Sequence, residues 1–173
     1  EYTKIDADIG AYYLDIQPNS GNNTDVYIAG TERNVDKIHV EVSGSTLHVS
    51  VDPSAYGFGS WTDWLRGFSG YPTVNLKVPD KVYEKLNVGV SSGTADVRGV
   101  SASDVSLATS SGDINYTQNC ITESLTVSTT SGSIGVKNAA TKSYNIRATS
   151  GNIDVDGLTG TGSIKATSGN LTI

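Results

Sequence analysis

LNVGVSSGTADV at residues 86–97, VSLATSSGDINY at 105–116, LTVSTTSGSIGV at 125–136, YNIRATSGNIDV at 144–155 and GSIKATSGNLTI at 162–173 are five versions of one phrase. Their shared dipeptide falls at Ser92-Gly93, Ser111-Gly112, Ser131-Gly132, Ser150-Gly151 and Ser168-Gly169, at intervals of 19, 20, 19 and 18 residues. A period of this length marks a repeat architecture in which one unit cannot bury its own apolar face and must stack on a neighbour. On both sides of each Gly the apolar residues alternate, and a period of two is that of a β-strand with one face buried. Before Gly the predicted inward columns are Leu86, Val105, Leu125, Tyr144 and Val88, Leu107, Val127, Ile146, Ile164. After it they are Ala95, Ile114, Ile134, Ile153, Leu171 and Val97, Tyr116, Val136, Val155, Ile173. Between repeats, variable corners such as RGVSASD and KNAATKS carry one apolar anchor each: Val100, Ile121, Ala140 or Leu158.

The pattern predicts an all-β, single-domain β-solenoid spanning residues 1–173, built of stacked coils of about 19 residues. Gly93, Gly112, Gly132, Gly151 and Gly169 are its structural corners, where a residue without Cβ permits either a positive φ or a close backbone approach. The adjacent Ser hydroxyls are small enough to bond the backbone at the bend or each other along the stack. Residues 74–173 are the regular repeats. Residues 1–52 alternate less regularly, in TKIDADIG, YYLDIQP, TDVYIAG, DKIHVEV and TLHVSVD, and Ser43-Gly44 mimics the later corners. They read as a degenerate continuation of the same stack, for eight or nine coils in all.

Residues 53–73 break the rhythm. PSAYGFGSWTDWLRGFSGYPT holds Tyr56, Phe58, Trp61, Trp64, Phe68 and Tyr71, including both tryptophans and both phenylalanines of the chain. Such an aromatic-rich loop insertion suits two roles. It can lie as a lid over an exposed end of the apolar ladders. Alternatively, its flat amphipathic rings can bind a glycan or anchor a protein.

Composition bounds the chemistry. The net charge is −6 with no long basic run, which argues against nucleic acid as a partner. A single cysteine, Cys120, allows no intrachain disulfide and reads as a small half-buried turn residue. No nucleophile elbow, zinc-type histidine spacing or phosphate loop is present, so the chain reads as non-enzymatic and without a cofactor. If residues 43–46 turn a hairpin, Glu41 faces His48 across it, as an exposed cross-strand pair. Asp96, Asp113, Asn115, Asn152, Asp154 and Asn170 recur after the glycines, but Ser133 and Gly135 interrupt them and no metal site is expected.

YPTVNLKVPDKVYEKLNVGVSSGTADV followed by repeated T-S-G-x-I-x-V, with the opening TKIDADIGAYYLDI, resembles a bacterial family of β-strand-repeat proteins labelled "putative adhesin". That resemblance implies a β-solenoid carried behind an export signal or membrane anchor, and it brings no catalytic residues. The first regular coil departs from the pattern, with Ala95 where a large aliphatic residue is usual. The expectation is an extracellular or cell-envelope adhesion module that presents the aromatic insertion to a cell-wall polysaccharide or surface protein. The competing expectation is a structural or regulatory ectodomain that acts as a spacer. The chain starts at Glu1 and contains no Met, as expected of a fragment whose export or anchor segment has been removed; membrane attachment would need that segment. The terminal NLTI ends inside a strand, which predicts an open edge and a homo-oligomer formed through it.

Overall fold

The strand-forming pattern is realised throughout the computed structural model, which describes residues 1–30, 37–52, 73–118 and 120–173. Along the chain the strands are β1 (Lys4–Asp8), β2 (Tyr13–Asn19), β3 (Asp25–Ala29), β4 (Ile38–Ser43), β5 (Thr46–Val51), β6 (Thr73–Pro79), β7 (Val82–Val90) and β8 (Ala95–Arg98). They continue as β9 (Ser101–Thr109), β10 (Ile114–Thr117), β11 (Ile121–Thr129), β12 (Ile134–Lys137), β13 (Ala140–Ser150), β14 (Ile153–Asp156), β15 (Thr159–Ser168) and β16 (Leu171–Thr172). No helix among the described residues is long and apolar enough to cross a membrane.

Two eight-stranded sheets face each other, ordered β15-β13-β11-β9-β7-β1-β5-β4 and β16-β14-β12-β10-β8-β2-β6-β3. Each repeat contributes one strand to each sheet, and successive repeats pair in parallel. At ~4.8 Å per strand the stack is about 34 Å long. The predicted inward columns form the core: Val49, Ala7, Val88, Leu107, Val127, Ile146 and Ile164 lie in one register across the first sheet. Opposite them run Val74, Leu14, Ala95, Ile114, Ile134, Ile153 and Leu171. Ala95 is fully buried between Leu14 and Ile114. The columns run out at the far end, where Leu171 is 44% and Ile173 80% exposed and, among the described residues, no further strand lies over β16.

The N-terminal third departs from a simple continuation. β1 and β2 insert between the β5–β6 and β7–β8 layers, so stacking order and chain order differ. Among the described residues there are seven parallel layers, not eight or nine coils in sequence. Beyond them the stack is closed by antiparallel strands, β4 on β5 and β3 on β6. Ser43-Gly44 therefore starts a hairpin turn with Gly44 at φ 59°, and is no coil corner. The alternation of side chains is identical for parallel and antiparallel neighbours, so it does not report which strand lies alongside.

Of the two reasons for a corner glycine, close approach is the dominant one. A Cβ on Gly112 would lie 1.6 Å from the Gly93 carbonyl oxygen, and one on Gly132 1.8 Å from that of Gly112. Gly93 sits in the same way on the Tyr12 carbonyl of the inserted β1–β2 layer. Only Gly169 of the five has a positive φ, at 155°. The hydroxyl bonds at this bend come from threonines three positions earlier: Thr109 Oγ1 accepts from Gly112 N and Thr129 Oγ1 from Gly132 N, both at 3.0 Å. Thr129→Val keeps the volume but leaves the Gly132 N–H without that acceptor. It is expected to cost about 1–3 kcal/mol in urea unfolding, the range for a buried donor left unpaired.

Two corner anchors are shifted by one position. Ile121 is 71% exposed and Ala140 only half-buried, whereas Val100 and Ala139 are fully buried. Strand parity in β11 turns Thr122 inward instead, where its hydroxyl donates to Gln118 Oε1 at 2.7 Å. The Tyr116 hydroxyl donates to the same oxygen, and Gln118 Nε2 donates to half-buried Cys120 Sγ at 2.8 Å.

Candidate functional site on the outer face of the second sheet

Outward positions of the second sheet stack as regularly as its core. In register lie Tyr27 on β3, Asn75 on β6, Asp15 on β2, Asp96 on β8, Asn115 on β10, Gly135 on β12 and Asp154 on β14. One step along the strands, Lys77 pairs with Gln17, and Arg98 follows on β8. The result is a polar face on which amides and carboxylates follow one another at strand spacing, interrupted at Gly135.

The face dips near its β3 end. Asp15, Gln17, Tyr27, Asn75, Leu76 and Lys77 line, among the described residues, an open depression of about 320 Å³. Tyr27 is 56% exposed, and Lys77 Nζ lies 5.5 Å from its ring centroid on one side. Asp15 is only 7% exposed although it points outward, because its neighbours fold over it. Its Oδ2 accepts from Arg98 at 2.6 Å and from Gln17 Nε2 at 2.6 Å. Among the described residues nothing hydrogen-bonds its Oδ1, which is sealed from bulk water. Next to it Asp96 Oδ1 accepts from Asn115 Nδ2 at 2.7 Å, and Asp96 Oδ2 accepts from the Tyr13 hydroxyl.

These contacts shift the ionisations. Burial, then the bond to Asp96, push Tyr13 up to about 12. The bond to Asp15 raises Arg98 above its ordinary value. Burial also raises Tyr12, Tyr83 and Tyr116. A tyrosine is neutral when protonated, so the folded state holds these protons after the unfolded chain has begun to lose them near pH ~10. Stability is therefore complete below that pH and falls as pH rises through the folded values, by at most about 1.4 kcal/mol per pH unit for each tyrosine. Urea midpoints should be flat from pH 8 to 9.5 and drop between pH 10 and 12.

The residues singled out from the sequence fare unevenly. Tyr56, Phe58, Trp61, Trp64, Phe68 and Tyr71 lie outside the described residues; Thr73, the last residue assigned to the insertion, is already in β6. The segment joins β5 to β6, where the five regular repeats carry the Ser-Gly corner. Glu41 does face His48, whose Nδ1 lies 3.4 Å from Asp6 Oδ2. The carboxylates and amides after the glycines divide into two groups. Asp96, Asn115 and Asp154 join the outer column, whereas Asp113 and Asn152 hold the corner by accepting from Ser133 N at 2.7 Å and Asn170 N at 3.0 Å. Among the described residues no group of three or more His, Cys, Asp or Glu side chains is placed to hold a metal. Asp15, Gln17, Tyr27 and Asn75 were not legible as a group. Their outward parity was visible, but their adjacency depends on β2, β3 and β6 coming together out of chain order.

The model of the Toastrack DUF4097 family matches residues 2–173. The chain belongs to that family. Solved structures share the Toastrack fold. A "putative cell adhesion protein" from Clostridium sporogenes ATCC 15579 is 15% identical with a TM-score of 0.66, over 100% of this chain and 92% of that one. A "putative adhesin" from Bacteroides fragilis NCTC 9343 is 18% identical with a TM-score of 0.53, over 99% of this chain and 89% of that one. No curated protein matches the sequence. The family assignment agrees with the resemblance drawn from the T-S-G repeats, and at these identities the solved structures bear on the Toastrack fold alone.

Proposed function

We propose that this Toastrack protein is a non-enzymatic adhesion module of the cell envelope or extracellular space, which binds a surface ligand on the outer face of its second sheet. The observation that carries the reading is the depression at Tyr27 and Asp15. It combines an exposed aromatic ring, polar groups of both hydrogen-bonding senses and a carboxylate with an unused acceptor. Rigid strands position all of these side chains, which keeps the entropy lost on binding small. The adhesin names of the solved structures with this fold support the same direction.

Retention of the immobilised domain on purified bacterial cell walls and on intact cells tests the reading, with reducing-end release measured in parallel. Saturable retention without release is expected. Release would make the protein an enzyme, and absence of retention on every surface would leave the spacer role.

That second role has its own observation. Among the described residues the β15–β16 end has no antiparallel cap of the kind β3 and β4 provide at the opposite end, and Leu171 and Ile173 are exposed there. An open edge of this kind favours self-association of an ectodomain. Light scattering from micromolar to millimolar concentration is expected to show a rising mass, and a constant monomer mass would exclude it.

A further inference from the structure

The geometry points to a neutral sugar ring as the ligand of the Asp15–Tyr27 depression, stacked on Tyr27 and hydrogen-bonded by hydroxyls to Asp15 and Asn75. This inference rests on the binding role proposed above and adds the ligand class and the residues that choose it.

The argument begins with Asp15. A carboxylate whose side chain is only 10% exposed is costly unless its oxygens are satisfied. Oδ2 is satisfied twice, by Arg98 and Gln17, while Oδ1 has no partner among the described residues. The missing partner is a hydrogen-bond donor. Arg98 already compensates the charge of Asp15, and Lys77 adds a second cation at the rim, so the depression has no excess negative field to hold a metal ion. It has no excess of cations that would select a phosphate either, because Asp15 and its register neighbour Asp96 together offset Arg98 and Lys77. A neutral donor is what remains, and a hydroxyl donating to a carboxylate makes the stronger, charge-assisted kind of bond. For that hydroxyl to reach Oδ1 a side chain lining the depression has to move, and Gln17, bonded to Oδ2 of the same carboxylate, is one of them.

The second half of the argument is Tyr27. Lys77 is close enough to one face of the ring for a cation–π contact, yet the residue remains more than half exposed. A flat ring beside amide and carboxylate groups is complementary to a pyranose, which has an apolar face of C–H groups and an equatorial rim of hydroxyls. Asn75, directly opposite both Tyr27 and Asp15 in the register, offers one acceptor and two donors to that rim. The volume, about 320 Å³, is at the small end of ligand sites and suits one or two sugar rings. Beyond it the same column continues through Asp96 and Asn115, a path along which a linear glycan can extend.

The test is titration calorimetry and amide chemical-shift mapping with cellohexaose, chitohexaose, maltohexaose and mannohexaose, each with calcium and with EDTA. Binding of at least one is expected, unchanged by EDTA, with shifts on β2, β3 and β6. Tyr27→Ala and Asn75→Ala should each weaken it 10-fold or more. Both positions are at the surface, so these variants are expected to fold; Asp15→Asn is the confirming variant if its melting curve is intact. Three outcomes overturn the inference but leave the binding role standing. These are sugar binding lost on Trp61→Ala or Trp64→Ala but not on Tyr27→Ala, sugar binding abolished by EDTA, and cell-wall retention with no affinity for any of the four sugars. Loss of retention on every surface removes the binding role itself.

Discussion

Gly132→Ala is expected to remove a large share of the domain's stability. The added methyl would lie 1.8 Å from the carbonyl oxygen and 2.5 Å from the carbonyl carbon of Gly112, and both atoms are backbone held in the stack from either side. No rotamer relieves such a clash. The layers would have to part at a corner where each glycine rests on the one beneath, with a cost of at least about 4 kcal/mol, a large share of a domain's ~5–15 kcal/mol of stability. Gly135→Ala is the control, three residues away in the same layer. There the new methyl meets the Asn115 side-chain oxygen at 3.0 Å, which can move, and the Ile114 carbonyl oxygen at an ordinary 3.9 Å, so the change should stay below about 1 kcal/mol. Urea unfolding followed by circular dichroism distinguishes them. A Gly132→Ala protein with a wild-type midpoint would mean that the corners do not stack in solution as described.

The second large effect is in the core. Leu107 is fully buried in the middle of its column, between Val88 and Val127. Leu107→Ala should cost about 2–5 kcal/mol, because strands held in register on both sides cannot close the cavity. Leu171 belongs to an equivalent inward column but lies in the last layer, 44% exposed. Leu171→Ala should cost less than about 1 kcal/mol, since much of the side chain is already in water. Equal losses at the two positions would show that something covers the open end in solution, and a second copy of the chain would be the first candidate to examine.

These expectations trace back to features of different legibility. The inward columns from Leu86 to Ile164 could be read from alternation alone, since in a repeat stack the neighbour of each strand is the next copy of itself. Their burial follows the prediction except at Tyr144, half-buried opposite Gly162, and in the final layer, where Ile164 is half-buried and Leu171 and Ile173 are exposed. The corner glycines were also legible, though not the choice between an unusual φ and close packing. That choice depends on where the adjacent layer's carbonyl lies. Ile121 was misjudged because parity counted across a turn of variable length does not carry into the following strand; Thr122 is the residue turned inward.

The candidate site was the least legible part. Asp15, Tyr27 and Asn75 come from three segments whose patterns are ordinary, and β1 and β2 enter the stack between strands that follow them in the chain. By itself the sequence determined the all-β class, the two-stranded layers, the buried columns and the glycine corners, because these depend on contacts between like positions at a fixed period. Tertiary structure alone decided the order of the layers, the antiparallel caps and the grouping of Tyr27, Asn75 and Asp15. The physical reason is that a half-buried strand states which of its faces is apolar, and its backbone hydrogen bonds accept any neighbour of matching register.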